Sequence, residues 1–522
     1  MPRAASLSVP EFSVENAGWA GGVNIRDAWN MIAPDEARTL ENVVLDEKGG
    51  ASKRLGCQSQ GTFDTGADRI ISMYTFYRGT VNPPQLIVVT TAGKMYYTTD
   101  PTATPVVLTL IASGLSTSAP MSFETFANNC YFSNGVDAYA KWDGTTYTTF
   151  PTAPKGKYLR LWKDTMFVAG VIGLPDRVYE SAAGDAETWP VASWIDIAKG
   201  DGDAVKALGS DGYTLVTFKL RRTIAITDPA TLANRLVDYE KGCESHFSVI
   251  QHEGQIYFLS RRGICRYLGD SPSEIISFKI DPLFDPTIIN INALESVRAF
   301  VIDNRVCWAI PEVGQVSPSF QVDYYPRLGP LSQFGTRGLG PWAITRLPAT
   351  TFARWRWLQN DYLFGGARAS NKLLRLFAPV GTDDGATFVG MVETGAIDFK
   401  TPTRTKYIRR IRVLGHGNLN MQIRRNYQTG FATTDLANMS SVSDLWSLSE
   451  LWGTGTWGPD SAVKEVTINP DVYARAFSLR FSDAETTTGT KLVEVGSQEY
   501  SVVSGEWAVY LIVMDGNVLG IR

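Results

Sequence analysis

The chain is poor in the residues that most often carry chemistry. Its 522 residues include three histidines and five cysteines. Cys57, Cys130, Cys243, Cys265 and Cys307 are scattered, odd in number and never spaced C-x-x-C. That pattern argues against a disulfide framework and a cysteine zinc site, and fits thiols kept reduced in a cytosol. His246 and His252 flank a strand start with no third ligand nearby, and neither they nor His416 sit in H-E-x-x-H. They read as surface or hairpin positions rather than a metal site. Walker loops, dinucleotide fingerprints and G-x-S-x-G elbows are missing, and no Ser–His–Asp set assembles from spacing. Gly200-Asp201-Gly202-Asp203 resembles half a calcium loop, yet it lacks the later Glu and the regular oxygen spacing, so it reads as a surface turn. No catalytic, cofactor-binding or metal-ligating residue is assigned, and no cofactor is expected.

A basic excess is also missing. The net charge is −4 and the sequence pI about 5.7, whereas proteins that grip nucleic acid by its phosphates carry a positive surplus. A neutral or acidic conduit, by contrast, lets DNA slide. No apolar run approaches the ~18–20 residues of a membrane-spanning helix. The opening MPRAASLSVPEF has no apolar core of a signal peptide. Synthesis in a cytoplasm is expected.

What the chain does have is aromatic residues (11%) among 47 Gly and 26 Pro, the mixture that short, tightly connected strands need. Its length suggests about two or three domains unless a closed repeat absorbs it. Residues 1–42 read as irregular, with a short helix opening at Pro34-Asp35-Glu36-Ala37-Arg38. Over 43–383, runs of about four to seven strand-like residues alternate with turns. Examples are Gln85–Thr90, Gly93, Lys94–Tyr97, and Ala138–Trp142 followed by Asp143-Gly144. Asn134-Gly135 and Asp143-Gly144 are strong hairpin signals. The hairpins recur roughly every 35–45 residues, the spacing of a propeller blade. The units fall near 43–66, 69–115, 121–151, 157–190, 204–242, 245–277 and 294–380, the last long enough for two. The expected fold is therefore all-β, a β-propeller of about six to eight blades with seven favoured. A strand near 43–46 is expected to close the ring. No WD dipeptide ends each unit, no S-x-D-x-G-x-T-W repeat accompanies the blades, and no matching acids recur from blade to blade, so the propeller is expected to be non-enzymatic.

Beyond residue 383 the texture changes. Strands such as Lys406–Val413, Val463–Ile468, Ala476–Phe481 and Trp507–Val513 suggest a C-terminal β-sandwich over 384–522. Arg404–Arg412 is a basic run that reads as a strand with one solvated or interfacial face rather than a phosphate patch. Lys219, Arg221 and Arg222 read as the outward face of a hairpin. The loop 437–460, with Trp446, Trp452 and Trp457, reads as a docking loop or core plug rather than a carbohydrate platform.

Three sets of residues carry a family resemblance. The opening contains Gly21-Gly22-Val23-Asn24, Pro34–Ala37, Asn42, Lys48-Gly49-Gly50 and Lys53-Arg54-Leu55-Gly56. An internal set is Gly242–Ser245, Gln255–Ser260, Arg262-Gly263-Ile264 and Ile275. The close has Glu393-Thr394-Gly395, Asp398-Phe399, Arg409-Arg410-Ile411 and Trp507 through Arg522. Together these resemble the propeller proteins of tailed bacteriophages, the tail-hub, nozzle and packaged-DNA-stabilisation group. The resemblance implies a virion structural protein without catalytic residues, self-associated as a ring of roughly six copies. It also implies adaptor or portal-side partners, tail fibres or a needle, and DNA passing through without sequence-specific binding. Two alternatives stand beside it: a minor tail-tip protein of a long-tailed phage facing the host receptor, and a propeller glycosidase or lectin acting on host envelope.

Overall fold

A computed structural model of the chain describes residues 11–16, 18–46, 49–63, 68–79, 82–329, 339–426, 433–439, 464–468, 470, 472–483, 491–495, 498–502 and 508–518. They separate into two compact units. One comprises Cys57–Val322 and Leu347–Ala378, the other Met1–Gly56, Asp323–Arg346 and Pro379–Arg522.

The first unit is a seven-bladed β-propeller. Blade 1 runs Ile70–Phe76, Gln85–Thr90, Met95–Thr98 and Thr109–Ala112 as an antiparallel meander. Blades 2 to 5 repeat the pattern, starting with Ser122–Phe126, Tyr158–Trp162, Val205–Ser210 and Ile250–His252. Blade 6 starts with Arg298–Ile302, Arg305–Ile310 and Phe320–Tyr324, and blade 7 with Ala349–Trp357, Asn360–Ala367 and Lys372–Ala378. The first strands of successive blades neighbour one another in order, and that of blade 7 returns to that of blade 1. Shared cores make the closure physical. Ile70, Leu86 and Val88 of blade 1 pack with Phe63, Ala353, Trp355, Phe364 and Leu373 on the blade 7 side. Blades 2 and 3 share Tyr131, Tyr139, Leu159 and Val168, and blades 4 and 5 share Phe218, Val237, Phe258 and Cys265. A lone twisted sheet leaves both faces wet, and stacking it between two others removes them from water. The turns follow their residues: Gly135 and Gly144 take φ of 79° and 99°, where a side chain would be strained.

Closure of the ring differs from the sequence expectation. The fourth strand of blade 7 is Gly56–Thr62, which pairs with Lys372–Ala378. Val43–Leu45 pairs instead with Ala51–Lys53 in the other unit. The cause is a tight turn: Asp46 accepts from the Gly49 and Gly50 N–H groups and returns the chain on itself. The stretch 43–66 therefore supplies one strand rather than a blade, and 294–380 supplies two blades.

The second unit gathers three distant segments into a β-sandwich-like domain. One long strand, Lys406–Arg425, serves two sheets. Its first half pairs with Ala508–Val518, Lys464–Ile468 and Val472–Ala474, and its second half with Thr433–Met439 and Phe477–Asp483. Ile408, Ile411, Val413, Met421 and Ile423 point inward with Leu479, Phe481, Ile512 and Met514. Met391–Thr394 extends the second sheet and pairs with Glu36–Glu41. Where a helix was expected to open at 34–38, residues 34–35 form a turn and Glu36–Glu41 a strand. Glu36, Ala37 and Leu40 are buried there, and sheet pairing overrides a helix-start signal that rested on local propensity alone.

Candidate functional site

The first strands line the axis of the propeller, and one short turn spans it. Residues His246–Ser248 form a single 3-10 turn ahead of blade 5. The Leu208 N–H of blade 4 donates to His246 Nδ1 at 3.3 Å, and His246 Nε2 lies 3.1 Å from Ser122 Oγ of blade 2. Ser122 Oγ also accepts from the Leu159 N–H of blade 3 at 3.1 Å. Tyr158 of blade 3 packs its ring 5.0 Å from the imidazole. The adjoining Ser245 hydroxyl hydrogen-bonds the Glu295 and Val297 carbonyls ahead of blade 6, at 3.0 Å each. His246 is 9% exposed. It is an interior bridge between blades, not the surface or hairpin residue expected.

A serine oxygen beside an imidazole invites a nucleophile reading, which the proton positions exclude. Nδ1 accepts a backbone N–H, so the neutral ring carries its proton on Nε2 and donates it to Ser122. A serine base needs a lone pair at that nitrogen. Burial first, then the Arg160 and Arg298 guanidiniums, push the His246 pKa down to about 3, which keeps the ring neutral. Ser122 is itself buried.

Charges gather around this bridge. Arg160 of blade 3 pairs with Glu124 of blade 2 at 3.2 Å. Burial raises the Glu124 carboxyl above its ordinary range, against the pull of Arg160. Arg298 of blade 6 stacks on Phe247, its guanidinium carbon 4.0 Å from the ring centroid. Nothing in the sequence joined Ser122, Arg160, His246 and Arg298. They lie on four separate repeats, and only ring closure brings them together.

The Asp-rich turn has a different occupant from the one its pattern suggested. Lys219 Nζ sits 2.7 Å from Asp201, 2.9 Å from Asp176 and 3.0 Å from the Ala198 carbonyl. A lysine ammonium fills the place a cation would take. The Asp203 carboxylate accepts from the Leu220 and Arg221 N–H groups at 3.0 and 2.9 Å. Burial alone would raise the Asp201 carboxyl, but Lys219 and the Asp203 N–H carry it below the carboxylate range. Lys219 is fully buried, so of the three residues read as an outward face only Arg221 is exposed. Among the described residues no group of three His, Cys, Asp or Glu is arranged to hold a metal.

In the sandwich-like unit, the opening motif is spent on structure. Arg54 is 2% exposed. It grips Asp383 with two bonds of 2.9 and 2.5 Å and donates to Asn42 Oδ1 at 3.0 Å and to the Arg346 carbonyl at 2.8 Å. Its guanidinium lies 3.7 Å from the Phe388 ring centroid. Asn42 holds a positive φ of 55° and donates to the Val389 carbonyl. Lys53 meets Asp483 at 2.9 Å. Asn24 binds Glu36 at 2.7 Å. Near the end of the chain, Glu393 pairs with Arg424 and Arg480 at 2.7 and 2.9 Å. The basic run follows its strand reading: Lys406, Ile408, Ile411 and Val413 are buried while Arg410 and Arg412 are half-buried. Lys406 donates to the Thr401 and Arg475 carbonyls. Trp446, Trp452 and Trp457, and most of 437–460, lie outside the described residues, as does the side chain of His416.

No family model matches the chain, and no curated protein sequence does. Among solved structures it is similar to the computationally designed Ika8 protein, at 8% identity and TM-score 0.34 over 61% of this chain and 99% of that one. It is similar to BamB from Moraxella catarrhalis, at 11% identity and TM-score 0.35 over 64% and 90%. The WD40 β-propeller domain of Doa1 matches at 10% identity and TM-score 0.37 over 62% and 96%. The propeller assignment rests on the chain's own strand order and shared cores. No described helix is long and apolar enough to cross a membrane.

Proposed function

We propose that the chain is a non-enzymatic structural subunit of a bacteriophage tail, a copy in a hub or nozzle ring around the DNA exit channel. In that reading the ring retains the packaged genome, releases it on infection and docks fibres or a needle. One observation carries the reading beyond the sequence resemblance. The residues that the opening shares with the phage group, Asn24, Asn42, Lys53 and Arg54, are consumed in bonds inside one unit, and Lys53 and Arg54 tie the opening to the distant Asp483 and Asp383. Residues used this way make a wall segment rather than a site of chemistry. The propeller supports the same role, because its blades leave only short outer edges for unwanted strand pairing. A net charge of −4 suits a channel that must let DNA slide.

The test is the position of the protein in intact particles, by electron microscopy of virions labelled with antibody to the chain. A ring of label below the head supports the proposal. Label confined to a distal tail tip replaces it with the receptor-facing tail-tip reading. Particles without label return the chain to the glycosidase or lectin class.

A further inference from the structure

The charged groups at the axial end of the propeller do not cancel. Those that face His246 or its neighbours are Glu124, Lys157, Arg160, Glu295 and Arg298. Arg160 pairs with Glu124 at 3.2 Å, and Lys157 with Glu295 at 3.8 Å. That leaves Arg298. Among the described residues it has no carboxylate within ion-pair distance, and its hydrogen bonds to the Glu295 and Val297 carbonyls are long, at 3.5 and 3.4 Å. One face of its guanidinium lies on Phe247. Arg160 has its own surplus, since its Nε is buried without a hydrogen-bond partner. Blades 3 and 6 stand on nearly opposite walls of a seven-membered ring, so the two guanidiniums approach the axis from both sides. Both stand beside the same turn: Tyr158, two residues before Arg160, packs on the His246 ring, and Arg298 lies on the neighbouring Phe247. A partly buried guanidinium with no carboxylate partner is placed to take an anion, and its planar fork fits a carboxylate or phosphate. Solvent reaches this end, because Lys157 and Glu295 keep about half of their side-chain surface exposed.

We propose that the axial end of the propeller beside His246 binds a single oxyanion, a carboxylate or a phosphate, between Arg298 and Arg160. The proposal stands on the propeller alone and is independent of the tail reading. Its test is calorimetric titration of the full chain with inorganic phosphate and separately with acetate, at constant ionic strength. Saturable binding of one anion per chain is expected. Arg298→Gln should weaken it at least about tenfold, the loss of a charge-assisted hydrogen bond. Arg298→Lys, which keeps the charge and the fold, should fall between. Arg221→Gln, on an exposed hairpin residue, should leave the affinity unchanged. Phosphate tighter than acetate assigns a phosphate-bearing ligand, and acetate at least as tight assigns a carboxylate. The proposal is overturned if neither anion binds saturably, or if Arg298→Gln and Arg298→Lys bind as the wild type does.

Discussion

Arg54 offers the sharpest test of how the sandwich-like unit is held. Its guanidinium satisfies both oxygens of Asp383, the Asn42 amide oxygen and the Leu55 and Arg346 carbonyls. The Asp383 side chain is 10% exposed, so water cannot replace what Arg54→Met would remove. Breaking a buried pair from one side costs about 3–5 kcal/mol, most of it the orphaned charge. Arg54→Lys keeps the charge and loses the two-pronged grip, for about 1–3 kcal/mol. Arg54→Met combined with Asp383→Leu removes both charges, so it should recover much of the loss and show strong non-additivity. Because the chain has two units, a single melting curve averages them. Hydrogen exchange read on peptides covering 36–45 and 477–483, beside peptides covering 205–226, separates the two. Protection should fall in the first set and hold in the second. If Arg54→Met costs under about 1 kcal/mol, or if the double variant loses the sum of the singles, the argument that an orphaned charge dominates is wrong.

Other expectations follow from the same reasoning. His246 has a folded pKa of about 3 against an ordinary 6.5, so the unfolded chain binds the extra proton. The stability of the neutral bridge is complete above about pH 6.5 and declines as pH falls. The advantage of the wild type over His246→Gln should shrink by about 2 kcal/mol from pH 7 to 5, and an advantage that does not change with pH would falsify the neutral ring. Lys219→Met should destabilise blades 3 and 4 by about 3–5 kcal/mol by orphaning Asp176 and Asp201. Calcium should stabilise that variant more than the wild type, and an equal shift of melting temperature in both would contradict the lysine-for-cation reading. Cys57→Asp places a carboxylate among Leu363, Leu374 and Leu376 on the closing strand; blade 7 amides should lose exchange protection, and unchanged protection would refute closure by Gly56–Thr62. On the tail role proposed above, deletion of 437–460 should impair assembly more than folding of the monomer, and normal incorporation of the deleted chain into virions would refute it.

The sequence by itself determined that the chain is all-β and that its blades begin near 69, 121, 157, 204 and 245. These are local matters: alternation fixes which face of a strand is buried, and Asn134-Gly135 or Asp143-Gly144 fixes a turn within a few residues. The opening motif was equally legible as a set of residues, though not as the network that Asn42, Arg54 and Asp383 make. Tertiary structure decided whatever depended on long closures. It made Glu36–Glu41 a strand where a helix was expected to open, because Met391–Thr394 offered a partner. It gave blade 7 its last strand from residues nearly 300 positions earlier in the chain. It buried Lys219 against carboxylates that no spacing linked. Above all it built the axial cluster, since Ser122, Arg160, His246 and Arg298 belong to different repeats. A pattern that repeats tells where each blade lies. Which side chains meet on the axis is set by how many blades close the ring and in what order.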